Sequence, residues 1–398
     1  MFSSKNIALV FFIFYSCILP LSYLIMGELD FFNLAWTTEY VSSNSKIIGA
    51  IYIFFSVFLI IYFHRYLFRI VAYKPRKHSN ESLWNLLGLL GVFIQLFIII
   101  YNSGRTASVI NSENLRVVTF VGYFVQPLII IGMGQFIYEI VIYNKLSKLQ
   151  LLFISFFIIN TVLIGNRSGI FEIIAITLFV LNIFQKTPIK LNFKVVFRAL
   201  FFVLISFIII EFAFIIRQND ELFILHDILW RFYMNIQVLF LAIEDHQAIY
   251  DILTYNQPRG LIENVFSFAV DRTHISSSFR LPNYWGGNIG VLDSGHIVGY
   301  AYGLHGLSYG LFKFFGGLAF IFIVFKTIGF FVKRICLNKR LYFWPIWIYF
   351  FSRIYYEFLM NLGLDSLVEK TSKFFFYCLL SCMVIILINL FFGKRMYR

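Results

Sequence analysis

The residues best suited to chemistry lie in one polar stretch, from Arg217 to Leu304. It holds nine of the 20 acidic residues, four of the seven histidines and five arginines, but no lysine. A guanidinium group binds two phosphate oxygens at once and keeps its charge. Five arginines without a lysine therefore indicate a phosphate or diphosphate site, although a solvated surface charge is the simpler interpretation of any one alone. The five are Arg217, Arg231, Arg259, Arg272 and Arg280.

The end of this stretch carries groups that can accept a proton. Asp293 and His296 lie three residues apart, and Tyr300 and His305 follow them. A carboxylate or an imidazole can take the proton of an attacking hydroxyl, which is what sugar transfer requires. The alternative is that these side chains only satisfy backbone groups in a glycine-rich loop.

Ionisable residues also interrupt apolar segments: Glu139 near an inner end, and three candidate site residues nearer the outer ends. Glu211 lies six residues before Arg217, and Arg353 lies four residues before Glu357. A spacing of four puts the last two on one helix face, where a structural ion pair is the alternative to a binding role. Ionisable groups inside a membrane segment are costly, so we treat all three as candidate site residues.

A short turn contributes one more arginine. Arg167 is flanked by Gly165 and Gly169, which allow the backbone to turn sharply and bring several N–H groups close to the arginine. This turn fits an anion site, and it fits equally well an arginine that extends its charge to the membrane surface.

The elements that must position these residues are membrane helices. The chain is 60% hydrophobic and only 13% charged, against about 25% charged in a soluble domain. We predict an all-α polytopic membrane protein with about ten spans, because roughly 20 apolar residues cross a bilayer. The spans are near residues 7–26, 47–64, 83–101, 119–142, 149–164, 169–185, 195–215, 307–331, 341–360 and 373–392.

Positive charges fix the predicted orientation. Lysines and arginines cluster in alternate connections, which favours a cytoplasmic location for those connections and for both termini. This topology explains the net charge of +13 without a nucleic-acid partner. It divides the chain into seven spans in 1–216, one large outward loop in 217–306, and three spans in 307–398. Residues 228–243 are predicted to form an interfacial or re-entrant helix, or else part of a paired eleventh and twelfth crossing.

The sequence argues against several other functions. None of the four cysteines lies in the polar stretch, and no Cys/His cluster has metal-ligand spacing, so we expect no metal site. There is no G-x-x-x-x-G-K-[ST] sequence for nucleotide hydrolysis. A G-x-S-x-G elbow, as a serine hydrolase would need, does not occur on a strand.

Taken together, these features resemble bacterial O-antigen polymerases, within a wider group of polyprenyl-linked glycan polymerases and ligases. The resemblance covers most of the chain by architecture: about ten spans, a Gly-x-Arg-x-Gly turn and a long outward loop. By identity it rests on Gly165, Arg167, Gly169, Arg217 and the stretch from Asp293 to His305. In O-antigen ligases the loop histidine is often followed by Asn, whereas Gly306 follows His305 here, which favours the polymerase.

The resemblance implies transfer of a glycan from undecaprenyl diphosphate to a new carrier-linked repeat unit, on the periplasmic face of the inner membrane. Arg217, helped by Arg167, Arg272 or Arg280, would hold the donor diphosphate. Asp293 or His296 would deprotonate or orient the acceptor hydroxyl. No metal or other cofactor is implied, because the carrier diphosphate is the leaving group. The remaining candidate substrate contacts are Arg231, Glu211, Tyr300, His305, Arg353 and Glu357.

The implied partners are an undecaprenyl-diphosphate-linked oligosaccharide and membrane lipids, with room for a chain-length regulator protein. Two alternatives stay open. A ligase would use the same donor and a lipid A core acceptor. A transporter or lipid flippase would have mid-span charges and interrupted helices in two related halves. Neither related halves nor broken spans are evident in the sequence, although Gly132 and Gly134 in the fourth span keep the transporter open.

Overall fold

The computed structural model describes residues 42–68, 81–101, 112–143, 145–163, 238–254, 303–337, 343–359 and 364–392, together with six single positions between 173 and 184. All regular secondary structure in this part of the chain is helical. The predicted spans 7–26 and 195–215, most of 169–185 and most of the polar loop lie outside the described residues.

Eight helices are numbered here in chain order. They are α1 (Ser43–Phe68), α2 (Glu81–Tyr101), α3 (Ser112–Tyr143), α4 (Lys148–Leu163), α5 (His246–Thr254), α6 (Gly303–Leu337), α7 (Trp344–Leu359) and α8 (Leu364–Phe392). Residues 238–244 are helical as well.

The helices confirm that this is an all-α membrane protein. Five segments are long and apolar enough to cross a bilayer: Ser43–Tyr62, Ser82–Ile100, Val121–Tyr143, Leu304–Ile335 and Lys370–Leu390. Each overlaps a span predicted from the sequence. Large apolar side chains such as Phe54, 69% exposed, and Phe58, 66% exposed, point away from the protein, as lipid-facing residues do. The total of ten spans and the orientation stay predictions.

Close backbone contacts hold α2, α3 and α4 together. A Cβ built on Gly88 of α2 would lie 2.5 Å from the Cα of Gly132 on α3. A Cβ on Gly132 would also meet the ring of Phe153 on α4, which is fully buried. Gly134, two residues further on and on the opposite side of α3, faces Ile346 of α7. Small residues let membrane helices approach closely, so these two glycines of the fourth predicted span have a packing role.

Helix α6 is interrupted at Lys313, where φ is 57° and ψ is −161°. The chain turns back at this residue. A Cβ on Gly317 would lie 2.8 Å from the carbonyl oxygen of Ser308, although nine residues of continuous helix would separate the two by about 13 Å. The rings of Phe312 and Phe320 are likewise 5.1 Å apart. Residues 303–312 and 314–337 therefore form two helical segments joined by a sharp bend.

The first segment of α6 runs antiparallel to α1. Ser308 pairs with Tyr52, and His305 pairs with Ser56 one turn further along α1. Residue numbers therefore rise on α1 as they fall on α6. The predicted eighth span is thus interrupted, whereas the sequence had suggested no broken span. From the bend, the first segment extends along α1 to the level of Ser56.

Residues 238–244 also lie alongside α1. Phe240 contacts Gly49, and the backbone N–H of Ser42 donates a hydrogen bond to Glu244 at 2.6 Å. Residues Val238 to Ala242 are buried. Residues 238–243 are the end of the predicted 228–243 helix, and whether that helix is interfacial, re-entrant or part of a paired crossing stays a prediction.

We expect Lys313→Gly to raise the free energy of unfolding by about 1 kcal/mol. Lys313 occupies a backbone region that is almost restricted to glycine and costs about 1–3 kcal/mol for other residues. The extra entropy that glycine loses on folding offsets about 0.5–1 kcal/mol of the gain. Thermal unfolding of the purified protein in detergent measures the difference.

Lys326→Gly is the matched control, because Lys326 is also an exposed lysine of α6 but lies inside the second helical segment. It should lose about 1 kcal/mol. Equal destabilisation by both substitutions would show that Lys313 is not strained.

Candidate functional site

Two of the predicted site residues have described side chains, His305 on α6 and Arg353 on α7. Glu357 lies on α7, but its side chain is outside the described residues. The other candidates also lie outside them: Arg167, Glu211, Arg217, Arg231, Arg272, Arg280, Asp293, His296 and Tyr300. Their predicted roles therefore stay predictions.

His305 belongs to a buried polar network between α1 and α6. Its Nδ1 lies 3.1 Å from the hydroxyl of Ser56, and its ring makes an edge contact with Tyr52 at 6.3 Å between centroids. The Tyr52 hydroxyl lies 2.7 Å from the hydroxyl of Ser308. His305 is 4% exposed, and the other three residues are fully buried. A polar network at this depth is held together because each member supplies a partner that water would otherwise supply.

The donors in the Tyr52–Ser308 pair can be assigned. The Ser308 hydroxyl donates to the carbonyl of Leu304 at 2.6 Å, and a carbonyl oxygen can only accept. Ser308 has a single hydroxyl proton, so the Tyr52 hydroxyl must donate to Ser308. Gly317 packs directly against the Tyr52 hydroxyl, where a larger side chain would collide.

Glycines on another face of the same segment bind it to residues 238–254. A Cβ on Gly306 would lie 3.0 Å from Val238, and a Cβ on Gly310 would lie 2.9 Å from Ile249. The spacing of four puts both glycines on one face of the helix. The segment that carries His305 is therefore held by hydrogen bonds to α1 and by close packing on residues 238–254.

A second histidine lies near the bend of α6. His246 is the first residue of α5, stacks on Tyr250 at 6.0 Å and makes an edge contact with Tyr309 at 6.5 Å. Burial lowers the pKa of His246, and the neighbouring charge of Lys313 lowers it further. His246 therefore holds a proton less readily than a free histidine. Asp245 caps α5 by accepting the N–H of Ala248 at 3.1 Å.

Arg353 contacts Phe374 of α8. Its guanidinium carbon lies 4.4 Å from the centre of the Phe374 ring, a cation–π contact. His305 is described against α1 and Arg353 against α8, so the described contacts do not bring the two residues together. The predicted ion pair with Glu357 stays a prediction.

A buried carboxylate fixes the turn between α3 and α4. Glu139 is 2% exposed and accepts hydrogen bonds from the backbone N–H of Ser147 at 2.6 Å, from the Ser147 hydroxyl at 2.9 Å and from Asn85 at 2.8 Å. Three donors offset much of the cost of burying the carboxylate. Glu139, which the sequence marks as a break in an apolar span, thus joins α2, α3 and the turn.

The described residues contain no group of three or more His, Cys, Asp or Glu side chains arranged to hold a metal ion. Comparison with protein-family models, with curated proteins and with solved structures finds no match.

Sequence reasoning missed Tyr52, Ser56 and Ser308, because uncharged polar residues hardly disturb the apolar pattern of a span. One signal was available. Tyr52 and Ser56 are four residues apart and His305 and Ser308 are three apart, which puts each pair on one helix face. That signal does not reveal that the two faces meet.

We expect Glu139→Ala to lower the free energy of unfolding by about 2 kcal/mol. The substitution removes the acceptor of the buried Asn85 amide and of the Ser147 N–H, which belongs to an exposed residue, and a buried donor left without its acceptor costs about 1–3 kcal/mol. Thermal unfolding in detergent is the measurement. Glu244→Ala, which removes an exposed acceptor of the Ser42 N–H, should cost less than about 1 kcal/mol. A larger loss for Glu244 than for Glu139 would contradict the anchoring role of Glu139.

Proposed function

We propose that this chain is an O-antigen polymerase. It would transfer a growing glycan from undecaprenyl diphosphate to a new undecaprenyl-diphosphate-linked repeat unit, on the periplasmic face of the bacterial inner membrane. The observation that carries the proposal is the polar stretch, in which five arginines and no lysine precede a run of carboxylate and imidazole groups. The apolar helices support a substrate with a lipid tail, because they offer exposed aromatic surface.

The roles follow from the chemistry of the residues. Arg217, with Arg167, Arg272 or Arg280, binds the donor diphosphate and stabilises the charge that develops on it as the glycosidic bond breaks. Asp293 or His296 orients the acceptor hydroxyl or accepts its proton. His305 directly follows this stretch and is buried against α1. Its burial supports a site in which the end of the outward loop packs against the membrane helices.

A ligase remains the alternative within the same class, since it differs only in the acceptor. A transporter is the alternative from a different class, and one observation favours it. Helix α6 is interrupted at Lys313, and the short segment that precedes the interruption carries the buried His305. Broken helices and intramembrane ionisable groups are common features of transporter binding sites.

Chain length on the cell surface distinguishes these functions. Deletion of the gene should leave one repeat unit on the lipopolysaccharide if the protein is a polymerase. Loss of a ligase should remove the O-antigen altogether, and loss of a flippase should trap repeat units on the cytoplasmic side. Gel electrophoresis of lipopolysaccharide separates the first two outcomes, and labelling of periplasmic sugars detects the third.

We expect Arg217→Lys to reduce polymerisation by at least about tenfold. Lysine keeps the charge but lacks the planar fork that binds two diphosphate oxygens at once. The measurement is the rate at which the purified protein extends carrier-linked repeat units into a ladder. Arg334→Lys is the control, because Arg334 lies near the end of α6, outside the polar stretch, and has no part in the diphosphate site. Full activity of Arg217→Lys would refute a bidentate contact between Arg217 and the diphosphate.

Replacing both Asp293 and His296 by alanine should lower the rate about 10²–10⁴-fold, the usual contribution of a general base. Binding of the donor should change little, because the diphosphate contacts are assigned to arginines. The same ladder assay gives the rate, and binding of radiolabelled donor to the purified variant gives the affinity. Unchanged activity would mean that the proton goes to another group.

A further inference from the structure

The bend of α6 presents an exposed cation between exposed aromatic rings. Lys313 forms the bend and is exposed. Phe312 is 47% exposed and Phe315 is 84% exposed, more than any other large apolar side chain in the described part of the chain. Aromatic rings beside a basic side chain are typical of segments that lie at a membrane surface. The bend therefore has the composition of an interfacial segment.

The contacts of the first segment of α6 place the bend near the N-terminal end of α1. Ser308 lies opposite Tyr52, and the segment runs antiparallel to α1 from there. Lys313 follows Ser308 by five residues, which is about 7.5 Å of helix. The bend therefore lies at the level of Ile47, five residues before Tyr52.

Residues 238–246 lead to the same place. Glu244 accepts a hydrogen bond from the N–H of Ser42, directly before α1 begins. His246 follows two residues later. Burial lowers the pKa of His246, and the charge of Lys313 lowers it further, so the ammonium group is close to this end of α1.

The surface of α1 changes from polar to apolar at this level. Residues 42–44 are polar and exposed, whereas Ile47, Ile51 and Phe54 are apolar and exposed. Such a change marks the boundary between water and the hydrocarbon of the bilayer. Lys313 therefore lies at the depth of the lipid headgroups.

The protein supplies no counter-charge for Lys313. None of the residues that the structure describes forms a hydrogen bond or an ion pair with its ammonium group. Two nearby carboxylates have other partners, because Asp245 accepts the N–H of Ala248 and Asp251 accepts the amide of Gln247. The backbone conformation of Lys313 is almost restricted to glycine, and strain of this kind is typical of ligand clamps. A lysine at such a position indicates that its side chain has a partner outside the protein.

We propose that the bend binds a phospholipid, with the Lys313 ammonium on the phosphate of an anionic headgroup and the rings of Phe312 and Phe315 against its acyl chains. Lysine binds phosphate as a point charge, and a lipid also provides an apolar partner for the two rings, which a soluble anion does not. Glu244 and Asp245 are exposed at the same end of α1. Their charges restrict the favourable potential to Lys313, so the surface binds one headgroup.

The test measures thermal unfolding of the full-length protein in detergent as phosphatidylglycerol is added. The lipid should raise the unfolding temperature. Lys313→Gln should increase the lipid concentration that gives half of this rise about fivefold, the usual effect of one basic residue near an anionic lipid. Glutamine has the same strained backbone, so the change reports the charge alone. Lys313→Arg keeps the charge and should keep the wild-type midpoint.

Two further ligands separate a lipid from other sources of phosphate and charge. With phosphatidylcholine, which has no net charge, wild type and Lys313→Gln should have the same midpoint. Inorganic phosphate at the same concentrations should leave the unfolding temperature unchanged, because it offers nothing to the aromatic rings.

Matched controls test each half of the site. Lys145→Gln removes an exposed lysine from the turn between α3 and α4, with no exposed aromatic ring beside it, and should not change the midpoint. Phe315→Ala should weaken the binding of both lipids. Phe97→Ala removes a ring of α2 that is 69% exposed, and it should have no such effect.

A wild-type phosphatidylglycerol midpoint in Lys313→Gln would overturn the proposal, and so would an equal shift in Lys145→Gln. A loss in Lys313→Arg as large as in Lys313→Gln would exclude the charge as the cause. Equal effects of Phe315→Ala and Phe97→Ala, or a rise of the same size with inorganic phosphate, would exclude the lipid contact at the bend.

Discussion

Inside a bilayer there is no water to satisfy a buried hydrogen-bonding group, and this constraint governs how the described helices pack. The serine hydroxyls of Ser56 and Ser308 first donate to carbonyls of their own helices. Each oxygen can then still accept a hydrogen bond from a second helix. Tyr52 and His305 supply those hydrogen bonds across the interface of α1 and α6, in opposite directions. The same constraint explains why the buried Glu139 is surrounded by donors.

Close approach of the backbone makes these contacts possible. Gly317 lies where a side chain would strike the Tyr52 hydroxyl, and Gly306 lies where one would strike Val238. The bend at Lys313 returns the chain over itself, so that two segments of α6 both contact α1 near Tyr52. As a consequence, His305, which directly follows the polar stretch in the sequence, is buried inside the protein and not exposed at its surface.

An interrupted helix with a buried histidine is compatible physically with either a polymerase or a transporter. Irregular backbone at membrane depth is tolerated where it is buried in protein or lines a cavity, and both functions need polar groups at such a place. The arginines of the loop discriminate better between the two. Five guanidinium groups without a lysine match a diphosphate on a lipid carrier, which a polymerase must hold while its bond to the sugar breaks.

The sequence by itself determined the class of protein and the location of most described spans, because a run of about 20 apolar residues has few stable alternatives to a membrane helix. It also marked Glu139 and Arg353, since an ionisable group stands out in an apolar segment, and His305, since it ends the polar run before the eighth predicted span. The sequence did not indicate the bend at Lys313, because a lysine followed by two phenylalanines carries no turn signal. It also did not indicate that Tyr52 and Ser56 meet His305. Only the tertiary structure decided those contacts, because a hydrogen bond between residues some 250 positions apart depends on which helix faces pack together, and local spacing does not specify that.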